Sequence, residues 1–193
     1  MGRVFGMIWV VLVAFSCGSI PTDSKDGNLD SNGVYVSDLW RFQITIPDST
    51  WGFQSQTYQQ RLAANGVPQM ELWMISPVLS GTATFRPVLY LKPDALKSGN
   101  TLSLVIADVE TELQGAFNGY VAQGKTTVRV DSENATEWLF QATSAVGNFM
   151  PGTRFWVTVV LHNQAVYLLL GNGTSDRFPV DLYRKVASSL KFQ

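Results

Sequence analysis

The stretch Thr153–Gly171, "TRFWVTVVLHNQAVYLLLG", decides the fold of this chain of 193 residues. Two apolar runs flank the polar residues "HNQ", a pattern that is typical of a β-hairpin. Along the first run Phe155 and Val157 point to one face and Trp156 to the other, so both faces of the strand are apolar. Strands of this kind lie in the middle of a sheet whose two faces are both covered. The hairpin therefore predicts two central strands.

Alternation of apolar and polar residues predicts further strands on the N-terminal side of the hairpin. The clearest is "WRFQITIP", in which Phe42 and Ile44 alternate with polar neighbours and Pro47 ends the run. In "ATFRPVLYL", Pro87 favours an edge strand or a bulge. The segments that are predicted to be strands are 40–47, 68–76, 83–91 and 136–143.

Two segments change to the period of a helix. In residues 101–117 the apolar side chains recur at spacings of three and four, which predicts a helix with Thr101 as its N-cap. A second helix is predicted over residues 178–192 with Asp176 as its cap, and a short one is predicted in 55–66. Together these elements predict the α+β class, with a mainly antiparallel central sheet flanked by helices.

Two terminal motifs carry a resemblance to a known family. The segment "RFQITIPDSTW" (41–51) resembles the opening motif of PsbP and Mog1-like domains, and "FPVDLYRKVASSLKF" (178–192) is similar to their final helix. The order of elements between the motifs also matches, so the resemblance covers residues 34–193. It implies a PsbP/Mog1-like α/β/α sandwich and a binding or assembly role, because most members of the family are modules of that kind. It assigns no functional residue.

The N-terminus predicts an export signal. Arg3 precedes a nearly unbroken apolar run from Val4 to Phe15. The run is shorter than the roughly 20 residues that span a bilayer and fits the roughly 7 to 15 residues of a signal-peptide core. Residues 1–16 are therefore predicted to be a signal peptide.

The only cysteine of the chain follows this signal directly. The stretch "AFSC" resembles a bacterial lipobox, in which the chain is cut before a cysteine whose thiol carries a diacylglyceryl group, so Cys17 is the predicted lipid attachment site. Residues 17–33 are polar and rich in glycine, and they are predicted to be a flexible tether. Ordinary cleavage near Ser16 or Gly18, which would release an exported protein without a lipid, stays open as the alternative.

The remaining residues, 34–193, are predicted to form a single domain. The expected location is the bacterial cell envelope, with the domain lipid-anchored to a membrane and facing the periplasm or the cell exterior. The chain has 14 Lys and Arg against 15 Asp and Glu, so it lacks the basic surface that nucleic-acid binding requires. The expected partners are the membrane, through the lipid anchor, and a protein, and no nucleic acid.

No pattern in the sequence predicts catalysis. His162 is the only histidine, and its place at the hairpin turn predicts a solvated side chain. The carboxylates of Asp108, Glu110 and Glu112 are predicted to face water on the first helix rather than to form an acid/base pair. Metal-ligand spacings are lacking, and the glycine-rich residues 171–174 are predicted to be a turn. The chain is therefore predicted to be neither an enzyme nor a cofactor-binding protein.

The aromatic residues leave two functions open. Trp73 and Trp156 lie on the strand face opposite the regular apolar stripe, where they are core residues if a helix covers them and an exposed patch otherwise. The favoured function is a non-catalytic protein-interaction or assembly module of the cell envelope. The alternative is a carrier that holds an apolar small molecule between the sheet and a helix.

Overall fold

A computed structural model of the chain describes residues 27–48, 50–55, 72–76, 87–145, 153–174 and 178–193. Cys17 and the predicted signal peptide lie outside these residues, as do the cap Asp176 and residues 56–66 of the predicted helix, whose first residue, Ser55, is in a strand. The helices of the described part are α1 (Leu102–Ala116) and α2 (Val180–Ser188). Its strands are β1 (Asn28–Leu29), β2 (Val34–Ser37), β3 (Phe42–Thr45), β4 (Gly52–Ser55), β5 (Leu72–Ile75), β6 (Val88–Ala95), β7 (Phe117–Asn118), β8 (Val121–Ala122), β9 (Thr126–Val130), β10 (Glu133–Ala142), β11 (Ser144–Ala145), β12 (Thr153–His162), β13 (Ala165–Gly173) and β14 (Lys191–Phe192).

The main sheet is antiparallel and has the strand order β4-β5-β6-β13-β12-β10-β8, with β9 also paired to β10. Strands β12 and β13 form the predicted hairpin, whose last pair is His162 with Ala165. Asn163 in the turn has a φ of 53°, a left-handed conformation that asparagine tolerates well. Both hairpin strands have paired neighbours on each side, so their predicted central position is confirmed.

The first and last described strands form a second sheet, in the order β1-β2-β3-β14. The sequence predicted that the last helix runs to residue 192, and this is wrong because α2 ends at Ser188. The Ser189 hydroxyl donates to the Val186 carbonyl at 2.6 Å and accepts from the Thr45 amide at 2.9 Å. These bonds end the helix beside β3, and β14 then pairs with β3.

Each face of the main sheet carries its own apolar core. On one face α1 packs onto β12 through its buried residues Val105, Val109 and Leu113. The predicted cap of α1 is confirmed, since the Thr101 hydroxyl accepts from the Leu104 amide. The other face carries a second core that contains Trp156.

In that second core, Trp156 is fully buried, and its ring lies 5.9 Å from the ring of Tyr183 in α2. The interpretation of Trp156 as a core residue is therefore correct. The side chain of Trp73 lies outside the described residues.

The predicted helix-flanked α/β/α sandwich is wrong, because the chain is a β-rich fold of mostly antiparallel sheets. The sequence argument counted helices as the only cover for the main sheet. On the Trp156 face the cover is instead α2 together with the second sheet, whose Tyr35, Phe42 and Ile44 belong to the same core. Strands near the two ends of the described part of the chain thus cover a face that the sequence argument assigned to helices.

The expectation for Pro87 is also wrong. This proline precedes β6, and β6 lies between β5 and β13 rather than at an edge. The Pro87 carbonyl accepts a hydrogen bond from the Ser76 amide at 3.0 Å. Proline lacks an amide hydrogen but keeps its carbonyl, so Pro87 still bonds to the residue that follows β5.

Gly171 of β13 is a position where any side chain would disturb the packing of α2. A Cβ atom there would overlap Cδ2 and Cε2 of Tyr183. We expect Gly171→Ala to lower the free energy of unfolding by about 1–3 kcal/mol, because the buried ring must shift. Urea denaturation measures the change.

Gly115 on the exposed side of α1 is the matched control, because a Cβ there meets nothing within 4 Å. Gly115→Ala should raise the stability by about 0.5–1 kcal/mol through helix propensity. A Gly171→Ala variant as stable as the parent chain would contradict the described packing of Tyr183.

Candidate functional site

His162 lies in a cluster that holds the C-terminal strand. Its Nδ1 is 2.9 Å from Glu133 Oε1, and its ring stacks on the ring of Phe192 with centroids 4.3 Å apart and an interplanar angle of 6°. The side chain is half-buried, so the prediction of a solvated turn residue is wrong. We call His162, Glu133, Phe192, Asp131 and Lys191 the His162 cluster.

The Asp131 carboxylate completes this cluster. It lies 2.9 Å from Lys191 Nζ and accepts from the Phe192 amide at 3.3 Å. The hydrogen bond from Lys191, followed by the one from the Phe192 amide, lowers the pKa of Asp131. The described contacts of His162 are with Glu133 and Phe192. Together with the contacts of Asp131, the stacking on Phe192 holds β14 against the end of the hairpin.

The three carboxylates of α1 are not brought together. Asp108 is exposed, and Glu110 lies 2.7 Å from Lys125 Nζ at the β8 side of the helix. Glu112 is half-buried at the opposite side, towards β6, so the prediction that it faces water is wrong. Asp108 and Glu112 are one turn apart and share a helix face, a spacing that the sequence argument did not use.

Glu112 lies near a buried lysine of the main sheet. The Lys92 side chain in β6 is 8% exposed, and its Nζ lies 3.3 Å from Asp94 Oδ2. Desolvation raises the pKa of Glu112 to about 7, and the charges of Asp108 and Asp94 add to the rise, whereas Lys92 and Lys97 oppose it. We call these five residues the Glu112 cluster.

Sequence reasoning missed an ion pair that joins the buried Glu137 to the half-exposed Arg184 of α2. Glu137 of β10 is buried, and its Oε1 accepts from Nε and Nη2 of Arg184 at 2.9 and 2.6 Å. A signal was present in the sequence, because Glu137 shares a strand face with Ala135 and Leu139. A charge on an apolar face requires a partner.

The glycine-rich residues 171–174 are not the predicted turn, because β13 continues to Gly173. The Asn172 side chain accepts from the Val88 amide at 3.0 Å, and its backbone carbonyl accepts from the Tyr183 hydroxyl. These residues therefore join β6, β13 and α2 and form no phosphate-binding loop.

The described residues contain no group of three or more His, Cys, Asp or Glu side chains that could hold a metal ion. In the same residues no helix is long and apolar enough to cross a membrane. The predicted lipid site, Cys17, lies outside them.

No protein-family model and no curated protein matches the sequence. Solved structures do match. The solution structure of cyanobacterial PsbP (CyanoP) from Synechocystis sp. PCC 6803 has a TM-score of 0.51 at 14% identity, covering 92% of this chain and 98% of that chain. LpqN of Mycobacterium tuberculosis, described as involved in cell envelope biogenesis, has a TM-score of 0.56 at 11% identity, covering 79% and 83%. A protein of unknown function from Pseudomonas aeruginosa, PA94, has a TM-score of 0.50 at 9% identity, covering 88% and 99%.

These similarities confirm the predicted PsbP/Mog1-like domain at the level of fold. At such identities they carry no functional residue to this chain, because one fold supports many functions. The fold similarity does not conflict with the error about the α/β/α sandwich. The similarity concerns the fold as a whole, whereas the error concerned which elements cover one face of the main sheet, where part of the cover is the second sheet.

The ion pair between Glu137 and Arg184 predicts unequal effects for two substitutions on α2. Arg184→Met leaves the buried Glu137 without its partner and should lower the free energy of unfolding by about 1–3 kcal/mol. Asp181 also approaches Arg184, at 3.4 Å, but its side chain is 93% exposed. Asp181→Asn should therefore change the stability by less than about 0.5 kcal/mol. Chemical denaturation compares both variants with the parent chain, and equal effects would contradict the assignment of Glu137 as the stabilising partner.

Proposed function

We propose that this chain is an exported, lipid-anchored and non-catalytic protein-interaction or assembly module of the bacterial cell envelope. The observation that carries the proposal is the fold, which is similar to that of LpqN, a protein described as involved in cell envelope biogenesis, and to that of cyanobacterial PsbP. The signal-like N-terminus and the lipobox-like stretch before Cys17 support an extracytoplasmic location.

The proposed anchor keeps the domain near its membrane. The tether was predicted over residues 17–33, but Asn28 and Leu29 within it form β1 and pair with β2, so the link would run from Cys17 to Gly27. A flexible chain of this length has a root-mean-square reach of about 20 Å. A partner that this domain contacts is therefore expected within the same membrane or close to its surface.

The contacts of the described residues favour an interaction module over a carrier. Between α1 and the main sheet, the rings of Phe140 and Phe155 stack at 4.5 Å, and Phe117 lies 4.7 Å from Phe155. These rings therefore occupy part of the interface in which the alternative function would place an apolar ligand. The engagement of His162 by Glu133 and Phe192 likewise supports a structural role for the only histidine.

Fatty-acid labelling tests the anchor. Because the chain has one cysteine, a thiol-linked lipid has one possible site. Cells that express the parent chain and are grown with labelled palmitate should give a labelled protein in the detergent phase, and Cys17→Ser should remove the label. An unlabelled parent protein in the aqueous phase would refute the lipid anchor and leave the exported, lipid-free form.

Photo-crosslinking in intact cells tests the interaction. A photoreactive residue is placed at Leu104 on α1, at Val121 on β8 and at Asp181 on α2, whose side chains are exposed by 53%, 64% and 93%. We expect the same partner protein from positions on one face and none from the opposite face. The absence of a discrete adduct at all three positions, in cells where the chain is anchored, would contradict the interaction module.

A further inference from the structure

One edge of the main sheet is open to solvent along residues 121–130. Strands β8 and β9 pair with β10 on one side, and no strand of the described part of the chain pairs with them on the other. The side chains from Val121 to Thr127 are all exposed, and so is that of Arg129. We call residues 121–130 the β8–β9 edge.

The register of β9 on β10 shows which backbone groups face outwards. The turn between the two strands, residues 131–132, has two residues, so the pair that flanks it is hydrogen-bonded. Bonded and non-bonded pairs alternate along an antiparallel ladder, so Val128 also bonds to β10, whereas the N–H and C=O groups of Thr127 and Arg129 point away from it. The described backbone hydrogen bonds outside the ladders do not use these groups. They form a row to which another extended chain can bond.

The charged side chains of the β8–β9 edge are both basic. They are Lys125 and Arg129, and the edge contains no carboxylate. Lys125 Nζ lies 2.7 Å from Glu110 Oε2 on α1. The Arg129 guanidinium donates to the Asn134 side chain at 3.4 Å and to the Ser132 carbonyl, and it forms no ion pair with the described residues. Arg129 is therefore a cation at the edge with only neutral partners.

The carboxylates of the adjoining turn do not neutralise this cation. Asp131 is held by Lys191 at 2.9 Å. Glu133 pairs across the strands with Val130, so its side chain lies on the face of the sheet opposite to that of Arg129. The β8–β9 edge thus combines free backbone groups with a positive charge that is available to another molecule.

We propose that the β8–β9 edge binds an extended acidic segment of a partner protein, which adds to the main sheet as a further strand beside β9. The backbone of the segment bonds to the outward groups of Thr127 and Arg129, and one of its carboxylates meets the Arg129 guanidinium. This site rests on the proposed interaction module, for which it names the surface and the class of partner.

Charge favours an acidic segment over a second copy of the chain at this edge. A second copy would bring its own Lys125 and Arg129 to the shared edge, and like charges on neighbouring strands are destabilising. Cations at exposed edges are a common protection against such self-pairing. An acidic strand gains from the same cations, because opposite charges on neighbouring strands attract.

Titration with a synthetic peptide tests the edge directly. The probe is a blocked peptide of about eight residues in which Glu alternates with Val and Thr, so that its carboxylates share one face when it is extended. In the parent chain, purified in a neutral detergent, NMR should show that amide exchange at Thr127 and Arg129 slows by about 10-fold when about nine-tenths of the sites are occupied. The amide of Val128, which already bonds to β10, should change much less. A peptide with Lys in place of Glu should leave all three amides unchanged.

Two outcomes of this titration would overturn the proposal without any variant. One is exchange at Thr127 and Arg129 that the Glu peptide does not slow. The other is slowing of both amides as the protein concentration rises in the absence of peptide, which would make a second copy the occupant of the edge.

Substitutions at Thr127 separate the backbone from the side chain. Thr127→Pro removes an outward N–H but no bond to β10, a place where an edge strand tolerates proline, and it should weaken binding of the Glu peptide by more than about 10-fold. Thr127→Ala is the matched control, because it keeps the N–H and should bind within about 2-fold of the parent chain. Arg129→Gln should weaken binding by about 2-fold to 5-fold through the lost charge.

Photo-crosslinking in intact cells separates this site from the proposed function. A photoreactive residue at the exposed Thr126 of β9 should give a partner adduct that Thr127→Pro removes and Thr127→Ala keeps. An adduct that persists in Thr127→Pro would overturn the edge site and leave the interaction module in place. The absence of an adduct at Thr126, together with its absence at the three positions named above, would overturn the interaction module and the edge site with it.

Discussion

The rest of the structure depends on a hairpin that is apolar on both faces. Val157 and Val159 of β12 face α1, while Trp156 and Val160 on the same strand face α2 and the second sheet. Neither face can be left in water, because each buried aliphatic side chain contributes about 1.5–3 kcal/mol when it is removed from solvent. The sequence of one hairpin thus requires two covers, which are α1 on one face and α2 with the second sheet on the other.

The charged side chains discussed above lie at the boundaries of the two cores. Each cover meets the sheet along a boundary at which side chains pass from the core to the solvent. Glu137 lies at such a position beneath α2, and Lys92 lies at another near α1. A charge there costs free energy unless a partner meets it, so ion pairs mark the boundaries of both cores.

The sequence predicted those features that depend on neighbouring residues. The hairpin, the two faces of β12, and α1 with its Thr101 cap follow from periodicity and capping, and the structure confirms them. The end of α2 could not be predicted in the same way. Strand β14 pairs with β3, about 150 positions earlier in the chain, and local helical periodicity carries no information about that partner.

The position of Glu112 was missed for a related reason. A helical wheel places this residue at the margin of the apolar stripe of α1, where periodicity does not distinguish a wet position from a half-buried one. Whether such a residue is buried depends on the sheet beneath the helix. Burial of a residue at the margin of a helix is a property of the tertiary contact.

The two helices consequently differ in how they are held. Helix α2 is fixed by a forked contact in which two nitrogens of Arg184 meet one carboxylate, and a guanidinium keeps its charge over the whole range of pH that proteins experience. Among the described contacts of α1 none is of this kind; the helix lies on the sheet through the apolar side chains Val105, Val109 and Leu113. One cover of the main sheet is therefore held by a forked charged contact as well as by apolar packing, and the other by apolar packing. Because the central hairpin tolerates exposure of neither face, the fold requires both attachments.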